Sequence, residues 1–210
     1  MTTRFVVLRH GETVWNLEAR IQGHEDSALT PAGVAQARAL AERMREETFD
    51  HLVASDLGRA MSTALPIAAA TGHEVRPDRR LRERHYGECQ GLTYGELDHQ
   101  YPDLFSSVRE VDPDFPIPGG ETRREFHDRI RGAFDSLARE HEGKRVVVVS
   151  HGGVLAMLYR VVHAIPIAVP HPIPIRNCSY NALAWDRGVW TIEAWGDTVH
   201  LPAGEAFDEL

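Results

Sequence analysis

Two short apolar runs in this chain each end on a histidine followed by a glycine. Phe5-Val6-Val7-Leu8 leads into Arg9-His10-Gly11-Glu12-Thr13, and Val146-Val147-Val148-Val149 leads into Ser150-His151-Gly152. A short apolar run ahead of a glycine reads as a buried strand. In open α/β sheets, ligands bind in the crevice outside the carboxyl ends of the strands. Both histidines are therefore expected at such an edge, with Arg9 beside the first. An imidazole can act as a nucleophile, and a guanidinium offers the bidentate fork that phosphate oxygens accept. The two His-Gly turns predict a site that handles a phosphate.

The rest of the chain alternates between helical and strand-like patterns. Thr30-Pro31 is a helix start, with Thr as cap and Pro at the first helical position. That helix is expected to run to about Glu47, with Val34, Ala37, Leu40, Ala41 and Met44 on one face. A strand is expected over His51–Ala54, a helix over Leu57–Ala70 ending at Gly72, and a short strand around Val75. Phe126, Ile130, Ala133, Phe134 and Leu137 share one face of a helix over Glu121–His141. A central strand at Arg145–Val149 and a helix over Gly153–Val162 follow. Cys178–Trp185 and Val189–Trp195 read as an antiparallel pair turning near Arg187-Gly188. Such alternation implies a layered α/β fold with a largely parallel sheet. At 210 residues the chain suits one domain, residues 1–210. An insertion at about 92–120 interrupts the pattern with Tyr101, Phe105, Phe115 and four prolines. It is expected to form a lid or substrate wall; the plainer reading is a surface excursion with its own small apolar contact. The last fifteen residues are polar and read as a tail.

Composition narrows the partners. With 23 Lys and Arg against 31 Asp and Glu, the net charge is −8. An acidic surface argues against nucleic acid or an anionic membrane as the main partner. The Phe5–Leu8 run is too short for a signal peptide or a membrane span, so a cytoplasmic location is expected. Cys89 and Cys178 match no metal spacing and no disulfide framework, and no histidine cluster has ligand spacing. No metal and no cofactor are expected. The run Arg76, Arg79, Arg80, Arg82, Arg84 reads as a solvated or salt-bridged face.

Arg9-His10-Gly11-Glu12-Thr13, with Trp15-Asn16 and Gln22-Gly23, resembles the signature of the histidine phosphatase superfamily, the phosphoglycerate-mutase-like family. The resemblance continues through Ser55-Asp56-Leu57-Gly58-Arg59-Ala60, Leu81-Arg82-Glu83-Arg84, Pro118-Gly119-Gly120-Glu121 and Ser150-His151-Gly152, and so spans nearly the whole chain. It implies a three-layer α/β/α sandwich with a mostly parallel central sheet. It also implies an enzyme that passes a phosphoryl group through a phosphohistidine.

By this resemblance His10 is the nucleophile, and Arg9, Arg59 and His151 hold the transferring phosphate. Glu83 matches the proton donor to the leaving alkoxide. An ordinary glutamate, with pKa about 4.3, is ionised at neutral pH, so this role requires a raised value. Asn16, Gln22 and Gly23 match further phosphate contacts of the phosphatase branch. Gly11, Ser150 and Gly152 serve the backbone, since glycine permits close approach to a ligand.

Hydrolases and mutases of the family differ in a few positions, and this sequence mixes them. Glu83-Arg84-His85-Tyr86-Gly87 is similar to the mutases, in which a tyrosine at the place of Tyr86 contacts substrate. Against that, Tyr94 stands where those mutases carry a substrate-binding Lys, Gln22 where they carry Thr, and Gly153 where they carry Asn. Their insertion with paired arginines for the substrate carboxylate is shortened here. Arg123-Arg124 falls after Pro118-Gly119-Gly120-Glu121 and is expected on a helix surface. A mutase must keep its phosphohistidine dry, whereas a phosphatase admits water. The balance favours hydrolysis of a small-molecule phosphate ester, with a 2,3-bisphosphoglycerate-dependent mutase as the alternative. A non-catalytic phosphate-binding module is a weaker one, since both His10 and Glu83 are present. Tyr101, Phe105 and Phe115 are expected to wall the alcohol pocket. A homodimer would form through an edge strand or the apolar stretch Ile165–Ile175.

Overall fold

The computed structural model describes residues 1–109, 112–169 and 173–201. Six strands form one sheet: β1 (Thr3–Arg9), β2 (His51–Ala54), β3 (Val75–Pro77), β4 (Arg145–Ser150), β5 (Tyr180–Asp186) and β6 (Val189–Asp197). Their order is β3-β2-β4-β1-β5-β6. The pairs β2–β3, β2–β4 and β1–β4 are parallel, and β5 runs antiparallel to both β1 and β6. The sheet is therefore mostly parallel, as expected.

The side-chain alternation of a strand explains the layers. Phe5, Val7, Val146 and Val148 point to one face and meet Phe126, Ile130 and Phe134 of α6 (Arg123–Glu140) and Leu155 and Leu158 of α7 (Gly152–His163). Val6, Leu8, Val147 and Val149 point to the other face. There they meet Leu40 and Met44 of α2 (Pro31–Arg45), and Ala60, Ala64 and Ile67 of α3 (Gly58–Thr71). Helices on both faces make the three-layer sandwich.

Local signals set the helix ends. Thr30 accepts a hydrogen bond from the Gly33 N–H and Pro31 opens α2. Thr122 caps α6 with Glu125 in a reciprocal box, and Gly72 closes α3 in the left-handed conformation at φ 75°. Val34 does not join the buried face of α2: it is 39% exposed, while Gly33 and Gln36 are buried. Gly33 must face inward because a Cβ there would collide with the carbonyl of Glu12. The first turn of α2 thus rests directly on the loop that carries His10.

The insertion folds into α4 (Tyr94–Gln100) and α5 (Pro102–Arg109) over a satellite cluster of Ile21, Cys89, Leu97 and Ile117. Residues 110 and 111 lie outside the described residues. The segment is tied to the body by hydrogen bonds from the N–H of Ile21 to the Leu92 carbonyl (2.9 Å) and from Gly91 to Ile21 (2.8 Å). Short α1 (Val14–Leu17) lies beside this junction in sequence.

The expected tail begins later than the polar composition suggests. Asp197 pairs with Arg43 at 2.6 Å, His200 shares a hydrogen bond with the Cys178 carbonyl at 3.0 Å, and Leu201 packs on the α2/α3 side of the core. Residues 202–210 lie outside the described residues. Of the stretch expected as a dimer face, Ile175 is buried in the core and Ile167 packs against it. Residues 170–172 lie outside the described residues. No helix among the described residues is long and apolar enough to cross a membrane.

Candidate active site

The register Arg9↔Ser150 between β1 and β4 sets His10 beside His151 at the carboxyl ends of the two strands. The His10 N–H donates to the Ser150 carbonyl at 2.9 Å, and the two imidazole centres lie 5.4 Å apart. Nδ1 of His10 sits 2.8 Å from the Gly11 carbonyl. A carbonyl can only accept, so this contact places the proton on Nδ1 and the lone pair on Nε2. Burial pushes the His10 pKa well below the ordinary 6.5, and the guanidiniums of Arg59 and Arg9 push the same way. The ring is therefore neutral at pH 7, with its lone pair on Nε2.

His151 is fully buried, and its pKa is likewise well below 6.5 through burial and then the charges of Arg59, His10 and Arg9. Its Nε2 lies 2.8 Å from the Ser55 hydroxyl, while Nδ1 is buried with no hydrogen-bond partner among the described residues. If the Ser55 hydroxyl donates to Nε2, the neutral ring carries its proton on Nδ1, where it suits an oxygen supplied by a ligand. Ser55 itself follows β2, and its N–H is bound to the Val149 carbonyl at 2.9 Å.

Arg59 is buried on the first turn of α3. It donates to the carbonyls of Glu25 and Gly23 (both 2.7 Å) and to Asp26 (2.8 Å). Gly23 adopts φ 57°, where a Cβ would collide with the Gln90 carboxamide. Its role is to hold Arg59, and Gln22 is buried in the same loop. Arg9 is almost wholly buried and donates to the Ile175 carbonyl. Gly152 begins α7 beside it: a Cβ at Gly152 would stand 3.4 Å from Arg9 Nε. The amino end of α7 thus points into the site and favours an anion there.

Glu83 reaches the site from the loop after β3. One carboxylate oxygen accepts the Arg84 N–H and the other the Gly153 N–H, both at 2.8 Å. A Cβ on Gly153 would collide with that carboxylate. The loop is pinned by the Ser150 hydroxyl donating to Leu81 (2.8 Å) and by Arg129 donating to the Glu83 carbonyl (3.0 Å). Tyr86 lies on the same side, with the Arg84 guanidinium 5.2 Å from its ring centre. Burial, and next the Glu83 charge, raise the pKa of its phenol.

Asn16 turns its carboxamide oxygen toward the Thr13 N–H (2.9 Å). Sequence reasoning missed Asn177 as a site element. It is fully buried, and its Nδ2 donates to the His10 carbonyl at 2.9 Å and lies 3.4 Å from Asn16 Oδ1. The signal available was that Arg176-Asn177-Cys178-Ser179 resembles a block of the small-chain phosphatase members of the family, which by itself gives Asn177 no role.

Three expectations need adjustment. The arginine run is only partly a salt-bridged face: Arg80 pairs with Asp78 (2.7 Å) and Arg82 with Asp56 (2.6 Å), but Arg84 is buried. Arg124 is on the surface, paired with Asp114 at 2.6 Å, yet Arg123 is half-buried and lies within charge range of Tyr86, Arg84 and Tyr94. Adjacent positions on an α-helix point about 100° apart, and which of the two faces inward is not revealed by residue type. Of the expected aromatic wall, Tyr101 and Phe115 border a cavity of about 470 Å³ with Leu104 and Glu88, lined by none of the residues placed around His10. Phe105 packs on the satellite cluster.

Two imidazoles, two buried guanidiniums and a carboxyl group converge on one sheet edge, an arrangement with the groups that phosphoryl transfer needs. The chain belongs to the histidine phosphatase superfamily, branch 1, whose family model matches residues 5–198. It is an enzyme of that superfamily, of phosphatase or mutase-like type. It is 44% identical over 200 residues to Phosphoglycerate mutase-like protein 4 of Arabidopsis thaliana, covering 93% of this chain and 86% of the relative. The solved structure of Bacillus stearothermophilus YhfR matches with a TM-score of 0.88 at 31% identity, covering 94% of this chain and 98% of that one. A mycobacterial glucosyl-3-phosphoglycerate phosphatase matches with a TM-score of 0.82 at 35% identity, covering 94% and 100%.

Proposed function

We propose that this protein hydrolyses a small-molecule phosphomonoester through a phosphohistidine on His10. The observation that carries the reading is the contact between His10 Nδ1 and the Gly11 carbonyl, which leaves Nε2 with the lone pair in a neutral, buried ring. Nε2 attacks phosphorus and forms the N–P bond as the P–O bond to the alcohol breaks. Arg9, Arg59 and His151 stabilise the charge on the equatorial oxygens. Glu83 gives its proton to the departing alkoxide. Water then attacks the phosphohistidine, Glu83 takes back a proton, and inorganic phosphate leaves.

Hydrolysis is favoured by Gly153, which keeps the Glu83 carboxylate close to α7 where the mutases of the resemblance carry Asn. A phosphatase among the similar structures supports the same direction. The second reading, a phosphoglycerate mutase, is supported by the name of the Arabidopsis relative and by the inward-facing Arg84–Tyr86 pair.

The test is phosphate release from a panel of phosphomonoesters including 3-phosphoglycerate, with His10→Ala as control. Release that the variant abolishes is expected. Conversion of 3-phosphoglycerate to 2-phosphoglycerate without phosphate release would establish the mutase instead.

A further inference from the structure

Two loops carry the two halves of the proposed chemistry, and one side chain joins them. The loop at residues 22–26 holds Arg59, whose guanidinium donates to the carbonyls of Gly23 and Glu25 (both 2.7 Å) and to the Asp26 carboxylate (2.8 Å). His24 stands between those two carbonyls in sequence. Its Nε2 lies 2.9 Å from the main-chain carbonyl of Glu83, in the loop after β3. A carbonyl only accepts, so Nε2 carries the proton and donates. Arg129 of α6 donates to the same oxygen at 3.0 Å, so that both of its lone pairs are engaged.

The peptide unit that owns this carbonyl also owns the Arg84 N–H, which donates to the Glu83 carboxylate at 2.8 Å. A peptide unit is planar, with its C=O and N–H pointing opposite ways. Fixing the carbonyl therefore fixes the N–H, one of the two main-chain donors that aim the carboxylate; Gly153 supplies the other. The His24 ring is itself held. It packs edge-on against His85 with ring centres 4.5 Å apart, and His85 is anchored by the Gly87 N–H on its Nδ1 (3.0 Å) and by its own N–H on Glu121 (2.9 Å). The main chain adds a second tie: Gln90 Oε1 accepts both the His24 N–H (2.8 Å) and the Tyr86 N–H (3.3 Å). Arg129 also donates to the carbonyls of Arg80 and Arg82, and so shapes its loop as a whole. His24 reaches the Glu83 peptide from the phosphate side.

We propose that His24 is a positioning residue that sets the Glu83 carboxyl at a fixed offset from the phosphate held by Arg59, by orienting the Glu83–Arg84 peptide. This rests on the reading of Glu83 as the proton donor to the leaving alkoxide. A general acid works only within hydrogen-bond reach of the oxygen it protonates, and a misplacement of about 1 Å can cost about a hundredfold in rate. His24 touches neither the phosphate nor the alcohol in this scheme. It makes the clamp on one side of the scissile bond and the acid on the other parts of one rigid unit.

The test measures single-turnover formation of phosphohistidine from an alkyl and from an aryl phosphate, in wild type, His24→Ala and His24→Gln. An aryl oxide departs with little protonation, so it reports everything except the aim of the acid. In His24→Ala the alkyl rate should fall about five- to fiftyfold and the aryl rate less than about threefold. Glutamine keeps an N–H donor at similar reach, and His24→Gln should recover most of the alkyl rate. Added to Glu83→Gln, His24→Ala should cost less than about twofold more, because the group it aims is gone. No loss, an equal loss for both esters, a loss that glutamine does not relieve, or one undiminished in Glu83→Gln would each overturn the assignment. Hydrogen exchange at the Arg84 amide reads the same contact without turnover. It should be about tenfold faster in His24→Ala and close to wild type in His24→Gln. If the wild type forms phosphohistidine from no ester, the phosphomonoester reading fails, and the exchange rate alone then decides: wild-type protection in His24→Ala would overturn the positioning of Glu83 by His24.

Discussion

Asn177 donates its side-chain N–H to the main-chain carbonyl of His10 at 2.9 Å, and both residues are buried. The N–H of Cys178 adds bonds to the carbonyls of Arg9 (3.1 Å) and His10 (3.3 Å). The turn before β5 thus grips the peptide that carries His10. Asn177→Ala leaves that buried carbonyl short of a donor, at a cost of about 1–3 kcal/mol. We expect kcat to drop about five- to a hundredfold, with slower formation of trapped phosphohistidine. A variant whose rate of His10 phosphorylation matches wild type would show that Asn177 does not position the ring.

Glu83 and Gly153 are coupled by the 2.8 Å contact between carboxylate and main-chain N–H. Glu83→Gln should slow alkyl phosphates by about 10²–10⁴ and aryl phosphates far less, because a phenolate leaves without help. Gly153→Ala should reproduce the same discrimination in weaker form, since the added methyl displaces the carboxylate. Equal losses for alkyl and aryl esters in Glu83→Gln would remove Glu83 from the proton-donor role.

His151 offers a buried Nδ1 that finds no hydrogen-bond partner among the described residues. Inorganic phosphate at a hundred times its Kd should stabilise the fold by about 2.7 kcal/mol, a rise in Tm of about 5–10 °C. His151→Ala should lose most of that shift in a thermal melt. An undiminished shift would place the phosphate away from the two histidines.

His10 and His151 are both held neutral by burial and by neighbouring arginines. In the unfolded chain each takes a proton below about pH 6.5, whereas the folded protein does not until much lower pH. Stability contributed by the neutral rings is therefore complete above pH 6.5 and declines as pH falls below it. The urea midpoint should decline from pH 7 to pH 5, with a shallower decline in His10→Asn. The acid limb of kcat/KM, corrected for the second ionisation of the substrate, should lie well below 6.5. An acid limb at 6.5 would mean that His10 titrates as an exposed histidine.

Much of this protein was legible in its sequence, because the signals are local and strong. The apolar runs at Phe5–Leu8 and Val146–Val149 specify buried strands by composition alone. Thr30-Pro31 and Gly72 specify helix ends through caps that act within a few residues. The pairing of His10 with His151 followed from putting two strand ends on one edge. The His10, Arg9, Arg59, Glu83 and His151 set came from the family resemblance, and the fold brings these residues to that edge.

What only the tertiary structure decided is which way equivalent residues face. Arg123 and Arg124 are the same residue type, adjacent on one helix; packing of α6 turns one inward and leaves the other to Asp114. Arg80 and Arg84 belong to one basic run, yet only Arg80 is paired at the surface. Asn177 meets His10 across 167 positions of sequence, a contact that no local pattern encodes. Residue types and short-range spacing settle strands, caps and the chemistry that is available. Burial and charge pairing depend on what the rest of the chain places opposite a side chain, and that is fixed only when the layers close.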